Sequence, residues 1–390
     1  MSNPFTGNLA IRIIMKKVIA FLKGNNTSLL CLTLLIFILL PVIRLYSYNL
    51  PLQTLLLGSD DWNYYAKYAL EIKNGGLLIP SLTSQYEYPG GFFYSYFVAF
   101  CFFVFGDNLV PVYIIQSILL GLSLILIFVS FRDKMSPVIR LLFLLSLTAF
   151  ALADVSKYYS VSLLSENLAV FTIALFVWFL KKGIETRKTV FQAGAILFLI
   201  ISILTRPNLM PFGILFIVLM LTYFLTGTPK QISKAAIFTI VFLVGFSLIA
   251  FRNYLVCGQL VFLPSTGVSD AIDQVHQLSF SLTIKKILFM VGFQPVLEPR
   301  YQFRPHWMLM WLGYLVYLFL RRKELLKSGP FEIMIHLFIL VYCGLSIVFV
   351  TVDSYGFRAF IPVNLVILPF TFMALDSLRK HRAEPLIIPL

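Results

Sequence analysis

The chain has 390 residues, of which 59% are apolar and 12% are charged, and its net charge is +14. A soluble globular domain carries about a quarter charged residues, so this composition excludes a soluble domain, a disordered chain and a secreted disulfide scaffold. Because the apolar residues come in repeated blocks of about 20, the length that crosses a bilayer, the sequence predicts an all-α protein that spans a membrane many times.

Ten membrane spans are predicted in chain order. They lie near 28–47, 109–131, 137–153, 163–180, 189–204, 208–226, 235–251, 305–320, 331–351 and 357–376. Two further apolar stretches are too short to cross: 92–105 makes a helix of about 21 Å, and 287–296 is shorter still. We interpret both as helices that lie at the membrane surface or dip partly into it.

The distribution of charge gives the predicted orientation. With ten crossings and a cytoplasmic N-terminus, the inside segments and span ends hold 20 of the 31 basic and 6 of the 17 acidic residues. The outside then holds 11 of each, so the whole net charge lies inside, as the positive-inside rule requires. If 92–105 crossed the membrane, this bias would collapse. The basic charge is therefore a topology signal, and no nucleic-acid partner is predicted.

The predicted organisation is one transmembrane domain, 28–376, between a cytoplasmic N-terminal segment, 1–27, and a cytoplasmic tail, 377–390. Its outside face carries two long loops, about 48–108 and 252–304, and several short turns. Binding and catalytic residues are concentrated on loops held by a rigid scaffold, so this face is the predicted location of the site.

Acidic residues stand at two places on the outside face. Asp60 and Asp61 open the first long loop, where partial burial and like-charge proximity raise the pKa of one carboxyl toward that of a general base. The alternative is that one of them caps the helix predicted over 62–73. Glu166 lies at the outside end of the fourth span, where a carboxylate normally has a partner or a role. It belongs to the site or pairs structurally with Lys157.

Several arginines face the same side, where positive charge is otherwise depleted. They are Arg206 in a tight turn, Arg252 at the end of the seventh span, Arg304 before the eighth and Arg358 at the start of the tenth. Such a group can hold a phosphate through paired N–H donors. Alternatively, each arginine extends to lipid head groups.

No motif predicts a cofactor. His276 and His306 lie near Asp270 and Asp273 without HxxxH or HExxH spacing, so a divalent metal remains only an alternative. The chain has no Walker loop and no GxGxxG after a strand. These absences exclude an ATP-driven pump and an enzyme with a soluble nucleotide-binding domain.

The order of motifs along the chain resembles that of the bacterial membrane-embedded C-type (GT-C) glycosyltransferases, which are related to protein O-mannosyltransferases and the lipid A aminoarabinose transferase. The motifs are the acidic pair with aromatics at 60–64, YxYPxG at 86–91, FGDN at 105–108, Ser-Glu at 165–166, TRP at 205–207, RNYxxxG at 252–258 and YGFRxxxP at 355–362. The resemblance covers about 28–376. Relatives often carry Asp-Glu where this chain has two aspartates, and larger relatives add a soluble C-terminal domain.

The resemblance implies a GT-C-like bundle of about ten transmembrane helices with extracytoplasmic juxtamembrane helices. It implies an enzyme that moves a sugar from a polyprenyl-phosphate donor to an acceptor hydroxyl, with inversion at the anomeric carbon. Asp60 is then the general base, with Asp61 beside it and Glu166 as the second acid. The expected phosphate-binding residues are Arg206, Arg252, Arg304 and Arg358, and the expected substrate-pocket residues are Tyr64, Tyr88, Asn253 and Tyr355.

The expected partners are the lipid-linked donor, membrane lipids and an acceptor that is a glycan, a lipid or a protein. The expected location is the bacterial cytoplasmic membrane, with the site facing outside and both termini inside. Two other functions stay open. A lipid-linked sugar flippase or transporter needs a polar path through the bundle, and a surface-polysaccharide polymerase or ligase uses a pyrophosphate-linked oligosaccharide. The clustering of charge at one face favours an interfacial reaction.

Overall fold

The computed structural model describes residues 61–75, 92–150, 165–206, 229–258, 279–293, 304–325, 329–349 and 357–383, and single residues at 34, 38, 163, 209, 213, 216, 217 and 221. Within these ranges the chain is helical, and no strand occurs. The helices are α1 (Asp61–Asn74), α2 (Phe92–Phe105), α3 (Leu109–Phe131), α4 (Pro137–Phe150), α5 (Glu166–Thr186), α6 (Thr189–Thr205), α7 (Pro229–Cys257), α8 (Phe280–Met290), α9 (Pro305–Arg321), α10 (Pro330–Phe349) and α11 (Phe357–Ala383).

Five helical stretches are long and apolar enough to cross a membrane. They are Leu109–Lys134, Glu166–Thr186, Ile232–Arg252, Pro330–Ile347 and Phe360–Lys380. The protein is therefore an all-α membrane protein with several spans, as predicted from its composition. The described parts of α4, α6 and α9 have 14, 17 and 17 residues, fewer than the about 20 of a straight crossing. Most of 28–47 and 208–226 lies outside the described residues.

Helix α11 forms the centre of the bundle. Its membrane stretch is 78% buried inside the protein, whereas that of α7 is only 18% buried, which places α7 at the edge. Pro362 and Pro369 lie inside α11 and remove two N–H donors from its hydrogen-bond ladder. The carbonyls four residues earlier, in Arg358 and Leu365, therefore lack their usual intrahelical donors.

Helices α9 and α11 approach each other closely at Gly313. A Cβ atom at this glycine would lie 2.4 Å from Thr371 Cγ2, so no larger residue fits without a shift. Thr371 Oγ1 donates a hydrogen bond of 2.8 Å to the carbonyl of Met310. Close backbone approach at a small residue is the usual packing of helices in membranes.

One end of the bundle, here called the basic end, joins segments that were predicted to be cytoplasmic. Lys181 Nζ of α5 lies 3.1 Å from Asp133 Oδ2, just after α3. Lys134 pairs with Glu332 at the start of α10. These contacts place the ends of three helices side by side.

The short helices of the two long loops are partly as predicted. The helix predicted over 62–73 is found as α1, and the one over 92–105 is found as α2. The helix predicted over 287–296 is wrong, because α8 begins at Phe280 and ends at Met290. Its first turn is capped by Ser279, whose side chain accepts from the backbone N–H of Leu282. Lys285 and Lys286 lie within α8 and separate its first residues from the apolar run on which the prediction depended.

Candidate functional site

Glu166 and Arg206 form a buried ion pair at the end of the bundle opposite the basic end. Glu166 is the first residue of α5, and Arg206 directly follows α6. Arg206 Nη1 lies 2.6 Å from Glu166 Oε1, and the side chains are 16% and 2% exposed, respectively. A ligand can therefore reach the arginine more readily than the carboxylate. Lys157, the alternative partner of Glu166, lies outside the described residues.

Local sequence explains where both side chains stand. An acid in the first turn of a helix is favoured by the helix dipole, and Glu166 occupies that turn of α5. Helix α6 ends because Pro207 follows Arg206, and a residue before proline disfavours the helical conformation. Arg206 is accordingly extended, with φ −142° and ψ 105°. Its backbone N–H still bonds the carbonyl of Ser202 at 2.9 Å, which fixes the start of the turn.

Tyrosines from three other helices surround the pair. Tyr94 of α2 is close enough to Glu166 to interact electrostatically, and Tyr65 of α1 and Tyr342 of α10 are similarly close to Arg206. The rings of Tyr65 and Tyr94 meet edge to face with centroids 4.8 Å apart. Because all three tyrosines are buried, the ion pair lies in surroundings of low dielectric constant.

The charge state of Arg206 follows from these neighbours. Burial acts to lower the pKa of Arg206, but the carboxylate of Glu166 raises it, and Tyr342 and Tyr65 act in the same direction as Glu166. The net shift is upward from the ordinary value of an arginine. The guanidinium therefore stays charged over the whole physiological pH range.

Tyr94 connects the site to α3. Its hydroxyl donates a hydrogen bond to Gln116 Oε1. Burial raises the pKa of Tyr94 well above its ordinary value, and Tyr113, Tyr65 and Glu166 raise it further. Tyr94 is therefore a neutral hydrogen-bond donor.

The first long loop is held against the bundle by packing. Helix α1 packs on α2, and α2 packs on α3 and α6. A small buried cluster joins Ala66 of α1, Val98 of α2 and Leu168 of α5. At its rim, Lys73 Nζ lies 2.6 Å from Asp107 Oδ1. Tyr65 lies four residues after Asp61, about 6 Å along the axis of α1. The helix that begins at the acidic pair thus supplies a tyrosine to the Glu166–Arg206 pair.

Arg252 and Arg304 lie on other elements. Arg252 is 6% exposed near the end of α7, and α7 packs on α6. Arg304 precedes α9, and its guanidinium carbon lies 5.0 Å from the centroid of the Trp307 ring. That distance is typical of a cation–π contact.

The second long loop brings Arg304 near the start of α11. The N–H of Arg304 bonds the carbonyl of Gly292 at 3.0 Å, just after α8. Phe289 of α8 packs on Phe360 of α11 with ring centroids 6.2 Å apart. The segment that ends at the Arg304 turn therefore contacts the first turns of α11, where Arg358 lies two residues before Phe360.

The other predicted site residues are only partly described. Tyr64 is 43% exposed and stacks on Tyr68 with centroids 6.2 Å apart. Asp60, Tyr88 and Tyr355, together with the side chains of Asp61, Asn253 and Arg358, lie outside the described residues. Of the predicted site residues, Glu166 and Arg206 are thus the two that the structure joins directly.

The sequence analysis did not identify Tyr65, Tyr94, Gln116, Tyr342 or Lys286. Gln116 had a usable signal, since a lone side-chain amide inside an apolar span is rarely placed there without a role. Lys286 is 3% exposed on α8, and burial lowers its pKa. The tyrosines had no such signal, because an aromatic at the membrane interface is common.

Several buried hydroxyl groups in the described helices bond to carbonyls of their own helix. Examples are Ser123 to Leu119, Ser130 to Leu126, Ser202 to Phe198 and Thr205 to Ile201, at 2.6–2.7 Å. Each hydroxyl is therefore satisfied locally.

Metal binding has no support in the part of the chain that the structure describes. It holds no group of three or more histidine, cysteine and acidic side chains that could bind a metal ion. His276, Asp270 and Asp273 lie outside it.

No protein family, curated protein or solved structure matches the chain.

Proposed function

We propose that this protein is an integral-membrane glycosyltransferase that moves a sugar from a polyprenyl-phosphate donor to an acceptor hydroxyl. The observation that carries the proposal is the buried Glu166–Arg206 ion pair, with Tyr65 of α1 beside it. Three motifs far apart in the sequence, those at 60–64, 165–166 and 205–207, supply or adjoin these residues. Their convergence at one end of the bundle is what a single interfacial site requires.

The chemistry assigns a different role to each charge. The acceptor oxygen attacks the anomeric carbon, the bond from that carbon to the phosphate oxygen breaks, and the acceptor proton passes to a carboxylate. Asp60 is the proposed general base, one residue before α1. The polyprenyl phosphate leaves as an anion and needs charge stabilisation rather than a proton. Arg206 is the proposed cation for that phosphate, with Arg252, Arg304 and Arg358 as further candidates.

The lipid part of the donor fits a site at the end of a membrane bundle. A polyprenyl tail can lie along the spans while its phosphate stays at the interface. Helix α2 has no charged residue, and Phe100, Phe103 and Phe105 are exposed on it. At about 21 Å it is too short to cross, so it suits a position beside the lipid tail in one leaflet.

A lipid-linked sugar flippase is the main competing function. It would need polar groups that continue from one end of the bundle to the other. The Glu166–Arg206 pair lies at one end of the bundle, and this clustering of charge supports an interfacial reaction instead.

The test uses purified protein in lipid nanodiscs with a panel of polyprenyl-phosphate sugars and a membrane extract as acceptor. We expect release of polyprenyl phosphate and a new glycosidic bond, detected by mass spectrometry, and we expect Asp60→Asn to abolish both. Glu324→Gln is the matched control, because Glu324 is an exposed acid that pairs with Arg321 at the basic end.

Three results would contradict the proposal. One is full activity of Asp60→Asn, which would remove the base. Another is transfer only from pyrophosphate-linked oligosaccharides, which would indicate a polymerase or ligase. The third is movement of donor across sealed vesicles without a new glycosidic bond, which would indicate a flippase.

A further inference from the structure

The two members of the Glu166–Arg206 pair differ in accessibility. Glu166 is 2% exposed, whereas Arg206 is 16% exposed. A general base must come within hydrogen-bond distance of the proton that it takes. The guanidinium stands 2.6 Å from one carboxylate oxygen and Tyr94 lies nearby, so an acceptor hydroxyl would have to displace existing contacts to reach Glu166.

Arg206 has more N–H donors than its contact with Glu166 uses. A guanidinium presents five N–H groups in a rigid fork, and the contact with Glu166 uses Nη1. A phosphate has several acceptor oxygens and binds arginine through charge-assisted hydrogen bonds. Arg206 can therefore contact Glu166 and a phosphate at the same time.

Glu166 fixes a side chain that the backbone alone leaves free. Arg206 stands in an extended turn after α6, and a free arginine side chain has many rotamers, which it loses when it is held in one position. Glu166 belongs to the first turn of α5, which packs closely on α6. The ion pair thus restrains the guanidinium before any ligand arrives, which lowers the entropic cost of binding.

We propose that Glu166 is a positioning residue, whose carboxylate fixes the Arg206 guanidinium for the phosphate of a polyprenyl-phosphate ligand and takes no proton in the reaction. This inference rests on the proposed function for the identity of the ligand. It assigns Glu166 to ligand binding and leaves proton transfer to Asp60 and Asp61.

The test measures binding without turnover. A long-chain polyprenyl monophosphate and the matching uncharged polyprenol are titrated into nanodiscs that hold the wild-type protein, Glu166→Gln, Arg206→Ala or the double variant. We expect each single change to weaken phosphate binding about tenfold, and the double variant to bind no worse than Arg206→Ala. Polyprenol binding should stay within twofold, and Glu166→Asp should recover part of the loss.

The matched controls are Glu324→Gln and Arg321→Ala, an exposed pair of the same residue types, which should bind as wild type.

Turnover separates positioning from proton transfer. We expect Glu166→Gln to raise the donor KM about tenfold with kcat reduced less than threefold and the pH profile of kcat unchanged. The inference is overturned if Glu166→Gln binds phosphate normally and loses kcat, which would make it a catalytic acid or base. Equal loss of polyprenol and phosphate binding would overturn it as well, since that indicates a structural defect.

Failure of the proposed function has a different signature. If the wild type binds polyprenyl phosphate in a Glu166-dependent way but forms no glycosidic bond, the positioning role stands and the transferase activity fails. If the wild type does not distinguish the phosphate from the polyprenol, both fail.

Discussion

Lys134 and Glu332 are 198 residues apart in the sequence and form an ion pair at the basic end of the bundle. Lys134 ends the short 3₁₀ turn after α3, and Glu332 lies in the first turn of α10. Tyr317 of α9 donates a hydrogen bond of 3.1 Å to the other oxygen of Glu332. One carboxylate therefore connects three helices.

Replacing Glu332 by leucine should destabilise the protein. The change leaves Lys134 and Tyr317 without their acceptor, and loss of a partner from a buried charged hydrogen bond costs about 1–3 kcal/mol. Lys134 is 32% exposed, so water can replace part of the contact and the loss should stay within this range. The measurement is thermal unfolding in detergent, followed by intrinsic fluorescence.

The control for this prediction is Glu324→Leu, which removes an exposed partner of Arg321. Exposed pairs contribute about 0–1 kcal/mol, so its unfolding temperature should stay close to wild type. Equal shifts in both variants would show that the Glu332 contact is not specifically stabilising.

Replacing Gly313 by alanine should force α9 and α11 apart. The new Cβ would meet Thr371 Cγ2 at 2.4 Å, and overpacking of this kind costs about 1–3 kcal/mol. Thr371→Ser removes the clashing methyl and keeps the hydroxyl that bonds Met310, so the double variant should recover part of the loss in unfolding temperature. Gly344→Ala is the control, because nothing lies within 4 Å of its added Cβ; a loss as large as that of Gly313→Ala would contradict the packing explanation.

Replacing Arg206 by lysine should weaken phosphate binding at high pH. The pKa of Arg206 is raised above that of an ordinary arginine, so its cation persists as the pH rises. A lysine has a lower ordinary pKa than an arginine, so in the same surroundings it loses its charge at a lower pH. Polyprenyl phosphate binding to Arg206→Lys should therefore fall at a lower pH than wild-type binding, while polyprenol binding stays constant in both. Parallel curves for the two proteins would argue against contact between Arg206 and the phosphate.

Cysteine labelling should report the orientation in the membrane. Asp107→Cys lies at the end with the Glu166–Arg206 pair, and Lys182→Cys lies at the basic end; the native side chains are 48% and 36% exposed. By the positive-inside rule, a membrane-impermeant maleimide should label Asp107→Cys in sealed right-side-out vesicles and Lys182→Cys only after permeabilisation. The parent chain with its four native cysteines gives the background, and the reverse pattern would invert the assigned topology.

Helix boundaries could be predicted well where hydropathy and turn residues agree. The helices at 92–105 and 109–131 were predicted with the bounds that α2 and α3 have. Gly106, at φ +79°, and Asn108, whose side chain caps α3 at Val110, mark the break between them. The helix α8 was misplaced because an amphipathic helix with two adjacent lysines has no long apolar run.

Contacts between helices could not be predicted in this way. Hydropathy fixes the depth of a residue in the membrane but not the rotation of its helix about the axis. The sequence therefore placed Glu166 and Arg206 on one face without identifying them as partners. Tyr64 and Tyr65 show the same limit. Tyr64 was the predicted pocket residue but is 43% exposed, whereas Tyr65 is 6% exposed and close enough to Arg206 to interact with it electrostatically.

The prolines of α11 have a mechanical consequence. Asp376 near one end of this helix is bound by Ser136 and Lys380, which anchors that end to the start of α4. Pro362 and Pro369 weaken the ladder nearer the other end. Any bend at these prolines would therefore move the turn that carries Arg358 relative to the end anchored at Ser136.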